Sequence, residues 1–401
     1  MEELDIQILI EHYYLKLRST PLDFKRYLYN EINWDARIIG IRGARGVGKT
    51  TLLLQRIKEH HKSPEEALYV SLDDLWFATH TFEDLVRYAS RHGITHLYVD
   101  EVHKYEGWSR VLKNVYDFYP DISVVYTGSA ILAINHSKAD LSRRQTLYTL
   151  RGMSFREYLK IEGLADIKAF TLKELLANHV SIASELSTKT KVLKHFSDYL
   201  RHGYYPYYRE NLTDFPLRVA EVVKLVIETD IPAVEGVSVS TVGKLKTLLM
   251  IMAQNTPFEP NISKLSEKLD CGRELCMKMI DLLDSAQLIR KLNFEAATYK
   301  QISGVKKILG GDTNILASLS DNVDTGTMRE TFFANQVSAA GSIALARKGD
   351  FIADGKYLFE VGGPNKKFTQ IADIPDSYLA VDGIEVGYGS RIPLYLFGFL
   401  Y

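Results

Sequence analysis

One octapeptide constrains this chain more than any other feature. Gly43-Ala44-Arg45-Gly46-Val47-Gly48-Lys49-Thr50 fits the pattern G-x-x-x-x-G-K-[ST] at every position. It follows the apolar run Ile38–Ile41 and opens into Thr51-Leu-Leu-Leu-Gln-Arg-Ile, a good helix. That order is what phosphate binding needs. A strand fixes the loop, glycines let backbone N–H groups wrap the phosphates, and the helix N-terminus adds partial positive charge. Gly43 through Thr51 are therefore the expected cradle. Lys49 is expected to reach the β- and γ-phosphates of ATP, and Thr50 to coordinate Mg²⁺.

The surrounding pattern agrees. Short apolar runs at Arg37–Arg42, Ala67–Leu72, His96–Asp100, Ile122–Thr127 and Gln145–Leu150 alternate with helical stretches. This predicts βαβ units and a mostly parallel sheet, in an α/β fold. The runs are nearly uniformly apolar, as expected of strands covered by helices on both faces. Ahead of them, residues 1–30 read as helix, with Ile6, Leu9, Ile10, Tyr13, Tyr14 and Leu17 on one stripe.

A phosphate loop needs a carboxylate at the end of another strand to complete a metal site. Asp100 follows the run His96–Val99 and is expected to hold Mg²⁺ through water; Glu101, next in the chain, is the candidate to polarise the attacking water. The next strand ends Thr127-Gly128-Ser129, where Thr127 and Ser129 compete to sense the γ-phosphate or orient water. Arg143 and Arg144 precede the last strand, the position from which ring-forming ATPases present an arginine finger to a neighbouring protomer. His60 and His61, between Lys58 and Lys62, read as surface.

Together the phosphate loop, Asp100-Glu101, Thr127-Gly-Ser129, Leu150-Arg-Gly-Met-Ser-Phe-Arg-Glu-Tyr-Leu159 and Gly203-Tyr-Tyr-Pro206 resemble a prokaryotic AAA-type ATPase family of the AAA+ superfamily. In that family the ATPase precedes a C-terminal domain of unknown function. The resemblance covers most of the chain. It implies a AAA+ core with a parallel sheet, a helical lid, a winged-helix domain and a small α/β restriction-endonuclease-like C-terminal domain. Two places depart from the family pattern: Met153 stands where Leu is usual before Ser-Phe, and Gly203-Tyr-Tyr-Pro206 replaces Gly-Phe-Pro. The division expected is 1–35 for N-terminal helices on the core, 36–153 for the ATPase, 154–237 for the lid, 238–310 for the winged helix and 311–401 for the nuclease-like part.

Residues support parts of this independently. Ser154 with Glu157 three positions on makes a capping box. Asn261–Asp270, a Cys-Gly turn and Arg273–Leu283 have helix-turn-helix spacing. Near the end, Asp350 and Glu360 flank a hairpin turning at Asp354-Gly355, with Glu330 on the preceding helix a third candidate ligand and Gln370 a helix contact. The lysine expected two residues after such a glutamate is replaced by Gly362; Lys366 or Lys367 reaches in only if Gly362-Gly363-Pro364 folds back. A nuclease-like shape without nuclease activity is the expectation.

Composition limits the partners. Lys plus Arg is 49 against 50 Asp plus Glu, a net charge of −1, so the whole surface is no nucleic-acid magnet. Across 240–292, eight Lys or Arg face six Asp or Glu, a weak basic surplus that leaves duplex DNA and a protein both open as partners. Cys271 and Cys276 are too few for a disulfide framework. No apolar run reaches the ~20 residues of a membrane span, and the acidic start is unlike a signal peptide, so a cytoplasmic protein is expected, able to form homo-oligomers. Two functions stay open: Mg²⁺-dependent ATP hydrolysis that drives or switches a DNA- or protein-handling event, and a nucleotide-gated scaffold or sensor with little turnover.

Overall fold

In the computed structural model the five apolar runs form one parallel sheet: β1 (Ile38–Gly43), β2 (Ala67–Ser71), β3 (His96–Asp100), β4 (Ser123–Ser129) and β5 (Thr146–Thr149), in the order β2-β3-β4-β1-β5. Residues 3–61, 66–133, 141–254, 259–295, 305–320 and 322–401 are described. Ile39, Ile41, Leu97, Val99 and Val124 are wholly buried, which is why these strands carry no polar alternation. β5 departs from that expectation. It is an edge strand, paired only with β1, and Leu147 on it is exposed.

The helices are α1 (Glu3–Ser19), α2 (Lys49–His60), α3 (Phe82–Arg91) and α4 (Trp108–Phe118). Each start has a local cause. Gly48 takes φ 96° at the N-cap of α2, a left-handed conformation that only glycine adopts without strain. Thr81 and Asp84 form a capping box on α3. The single helix expected over residues 1–30 is two elements: α1 ends at Ser19 and a short 3₁₀ turn follows at Tyr27–Asn30. The Pro21 between them cannot continue a helix. On the expected apolar stripe Ile6, Leu9 and Tyr13 are buried, but Tyr14 is exposed.

The chain divides into two units: Met1–Arg151 with Thr229–Val237, and Gly152–Glu228 with Ser238–Tyr401. The stretch read as a lid is thus shared out, its last residues completing the first unit.

The second unit starts with helices Phe155–Ile161, Leu172–Lys189, Val192–His202 and Phe215–Leu225. Ser154 and Glu157 make the expected capping box. Helices Val239–Gln254, Ile262–Lys268 and Arg273–Ser285 follow, then an antiparallel pair β6 (Ile289–Leu292) and β7 (Lys307–Gly310). Cys276 lies in the core of this helical group, and Cys271 sits in the turn before it. A second sheet has β8 (Ile343–Leu345), β9 (Phe351–Ala353), β10 (Tyr357–Gly362), β11 (Ser377–Val381) and β12 (Arg391–Pro393) in the order β12-β11-β10-β9-β8. Asp354 and Gly355 both have positive φ (52° and 63°) and turn the β9–β10 hairpin, as the sequence predicts. Phe333, on the helix Thr325–Ala340, packs on Phe351, Phe359 and Phe397 at 4.7–5.4 Å between ring centroids. The apolar run Leu394–Leu400 is not a strand. It forms a buried 3₁₀ helix at Leu394–Phe399, because an unbroken apolar run carries no period to distinguish the two.

Candidate nucleotide site

Sheet order brings the candidate residues together. β4 lies between β1, which feeds the phosphate loop, and β3, which ends at Asp100. Ligand sites in open parallel sheets form at the carboxyl ends of the strands, where these three elements meet.

The loop has the backbone that phosphate binding requires. Gly46 (φ 84°) and Gly48 (φ 96°) are left-handed. A Cβ on Gly43 would lie 2.3 Å from the Leu150 carbonyl oxygen, so only glycine fits there. Val47 is buried and its carbonyl accepts from Arg26, whose guanidinium also donates to the Arg151 carbonyl at 2.7 Å. Thr51 is exposed on the first turn of α2. Lys49 is 6% exposed and donates to the carbonyls of Gly43 and Ala44, each at 3.0 Å. Burial pushes its ammonium below the usual lysine range, against the pull of Glu101 and Asp100. A phosphate would replace those two carbonyls as its partner.

Thr50 and Asp100 meet: the Thr50 hydroxyl donates to Asp100 Oδ2 at 2.6 Å. Tyr69 donates to the same oxygen at 2.9 Å, and Thr127 to Oδ1. Lys16 of α1 in turn donates to the Tyr69 hydroxyl at 3.0 Å. Beside Asp100, burial raises the Tyr69 phenol far above its ordinary value, keeping it a donor. Hydroxyl and carboxylate oxygens are the hard donors that Mg²⁺ takes, so this pair fits the metal.

Glu101 has φ 53°, uncommon for a non-glycine residue and a sign of a site that over-determines its backbone. Its N–H donates to Asp100 Oδ1 and Thr127 Oγ1, both at 3.2 Å. Its carboxylate lies 3.4 Å from His103 Nε2 and 3.9 Å from Arg45 Nη2. Of the two competing residues on β4, Thr127 is the one engaged with the carboxylates; Ser129, two residues on, pairs in register with Gly43.

Three other residues enter that no motif announces. Asp230, 1% exposed, has Oδ1 at 3.6 Å from Arg45 Nη2, 3.6 Å from Lys104 Nζ and 3.7 Å from His103 Nε2. Burial pushes the Asp230 carboxyl up, but His103, Arg45 and Lys104 outweigh it and hold it below the usual range.

Arg144 holds a two-pronged pair with Asp117 (2.9 and 3.2 Å) over the Tyr116 ring, which a finger at this position would have to leave. Arg143 is exposed in the same turn; residues 134–140 before it lie outside the described residues. His61 is not a surface residue. Its side chain is 10% exposed, bonds the Tyr98 hydroxyl at 2.9 Å and packs on His96, and burial lowers its pKa to about 4.

The three candidate carboxylates of the second unit have internal partners. Glu360, 1% exposed, meets Lys366 at 2.9 Å, so the Gly362-Gly363-Pro364 turn does fold back. A Cβ on Gly362 would strike the Lys366 stem at 2.7 Å. Asp350 accepts from the Val361 N–H at 2.7 Å and Glu330 pairs with Lys307 at 2.6 Å. Gln370 is exposed in a turn, not a helix contact. Among the described residues no three His, Cys, Asp or Glu are grouped to hold a metal.

Residues 35–159 match the family model of the AAA domain. Residues 35–159 are a AAA domain of the P-loop type. The AAA fold suggests nucleotide binding. Residues 193–325 match the model of a domain of unknown function. An uncharacterized protein of Methanocaldococcus jannaschii, MJ1637, is 25% identical over 95% of this chain and 91% of its own. Among solved structures, AMPPCP-bound DnaA from Aquifex aeolicus is 15% identical, covering 71% of this chain and 89% of its own, with a TM-score of 0.27. The S. cerevisiae Hsp104–ADP complex is 16% identical, covering 68% and 39%, with a TM-score of 0.30. Among the described residues no helix is long and apolar enough to cross a membrane.

Proposed function

We propose that the AAA domain binds ATP with Mg²⁺ and hydrolyses it, and that this cycle drives or switches a DNA- or protein-handling event. The observation that carries the reading is the meeting of Thr50 with Asp100 at 2.6 Å, beside a loop whose lysine has only backbone carbonyls to leave. Thr50 and Asp100 would hold the metal, which when bound polarises the γ-phosphate and neutralises developing charge. Lys49 binds the phosphates, Thr127 fixes Asp100, and Glu101 takes a proton from the attacking water. Arg143 is the exposed arginine open to a second protomer.

A second reading, a nucleotide-gated scaffold with little turnover, is favoured by one observation: Glu101 lies beside Arg45 and His103, which compete for its lone pairs. The experiment that separates the two measures ATP turnover by the purified protein with Mg²⁺, with and without duplex DNA. Lys49→Ala is expected to abolish nucleotide binding, since its charge-assisted contacts have no substitute in the loop. Undiminished binding by that variant overturns the site, and binding without turnover in the native protein selects the scaffold.

DNA contact through the helices of 239–285 and the β6–β7 hairpin, a winged-helix arrangement, belongs to the same proposal. Its charge is thin. Lys244 donates to the carbonyls of Leu269 and Asp270, Lys246 pairs with Glu228, and Lys291 pairs with Asp281, leaving Lys264, Lys268 and Arg273 exposed. In the second unit we assign Asp350, Glu360 and Glu330 to the fold rather than to cleavage, given the partner each one holds.

A further inference from the structure

Asp230 reaches the nucleotide site from a stretch of chain, Thr229–Val237, whose neighbours in sequence on both sides belong to the other unit. Its Oδ1 is buried and has no hydrogen bond, yet three basic groups stand 3.6–3.7 Å away. Both ring nitrogens of His103 are likewise buried without a hydrogen bond, in a side chain 1% exposed. Such groups normally have partners. Here two of them, Arg45 and His103, lie between two carboxylates: Asp230 on one side and Glu101 on the other, the latter at 3.9 and 3.4 Å.

Resting on the hydrolytic reading above, we propose that Asp230 is a positioning residue for hydrolysis: it shares Arg45 and His103 with Glu101 and so keeps these two side chains from closing on the base. The physical reason is competition. A carboxylate whose lone pairs are taken by a guanidinium and an imidazole has none left to accept from water. With Asp230 opposite, each of the two is drawn both ways and Glu101 keeps a lone pair for water. Without that charge, Arg45 and His103 have one carboxylate left to pair with. Asp230 itself touches no reacting atom.

The test is Asp230→Asn, which keeps the shape and removes the charge. Affinity for a non-hydrolysable ATP analogue is expected to stay within about threefold while kcat falls by about tenfold or more, the signature of a group needed only in the transition state. Asp230→Glu is expected to recover part of the loss. The second-site variant Asp230→Asn with His103→Asn is expected to turn over faster than Asp230→Asn alone, because one competitor for Glu101 is gone; a merely structural role predicts further loss. In NMR spectra of the nucleotide-free protein, the His103 ring nitrogens are expected to shift in Asp230→Asn, whether or not ATP is turned over. Native-like kcat, equal loss of affinity and turnover, or unmoved His103 resonances overturn the proposal. A native protein that binds ATP and never hydrolyses it, with His103 still shifting, defeats the hydrolytic reading and leaves the charge sharing standing.

Discussion

Glu101 emerges from β3 with a left-handed backbone, its N–H tied to Asp100 and Thr127 and its carboxylate facing basic groups. Glu101→Gln retains the shape and the backbone bonds but cannot accept a proton. Nucleotide affinity is expected to stay near native while turnover falls 10²–10⁴-fold. Equilibrium binding and single-turnover rates check this, and an equal fall in both would place Glu101 among the metal ligands. Lys49 and Thr50 can be proposed from sequence because their chemistry demands fixed spacing within one octapeptide, and Asp100 because it ends an apolar run downstream of it. Tyr69, Arg26 and Asp230 were not. Tyr69 is one apolar-looking residue of a buried strand, and Arg26 and Asp230 reach the site from distant segments with no pattern of their own. His61 was misread for a related reason: an exposed-looking side chain on paper says nothing of a Tyr98 brought beside it by folding.

At the scale of elements, strands were easy to read and the exceptions instructive. Apolar runs bounded by turns mark the five strands of the first sheet to within two residues at each end. The run Leu394–Leu400 looks the same and folds as a 3₁₀ helix, since burial on all sides removes any periodic signal. The helix Thr313–Leu319 gives a test of how an element start sets pH dependence. Its N-cap Asp312, 2% exposed, accepts from the Ile315 N–H at 2.9 Å and the Tyr205 hydroxyl at 2.8 Å. Burial raises its carboxyl to about 6, against those hydrogen bonds. The unfolded chain therefore ionises first as pH rises. Stability from this group declines between about pH 4 and 6, the cost is full above 6, and it is relieved on acidification. Asp312→Asn cannot ionise. The difference in unfolding free energy, variant minus native, is expected to grow by up to about 3 kcal/mol between pH 4 and 7. Denaturant titrations across that range check it; a flat difference would mean that the carboxyl titrates alike in both states.

For the whole molecule, association decides whether Arg143 matters. If protomers complete one another's sites, Arg143→Ala is expected to lower turnover at least tenfold, since removing a finger costs transition-state stabilisation, and to leave nucleotide binding intact. Turnover per protomer should also rise with protein concentration. Rates independent of both concentration and Arg143 would return this residue to the solvent. The expected division gives Thr229–Val237 to the lid, because a short return segment resembles the helical stretch around it; the structure groups it with Met1–Arg151. That return bears on how the gene can be taken apart. The polypeptide passes from one unit to the other after Arg151, again after Glu228 and again after Val237. A fragment stopping at Arg151 keeps the complete octapeptide and all five strands, yet gathers Arg45, His103 and Lys104 around a missing counter-charge. Grafting this AAA domain onto another protein thus takes two splice junctions instead of one, and a donor cut at the obvious boundary would arrive without the carboxylate that faces Arg45, His103 and Lys104.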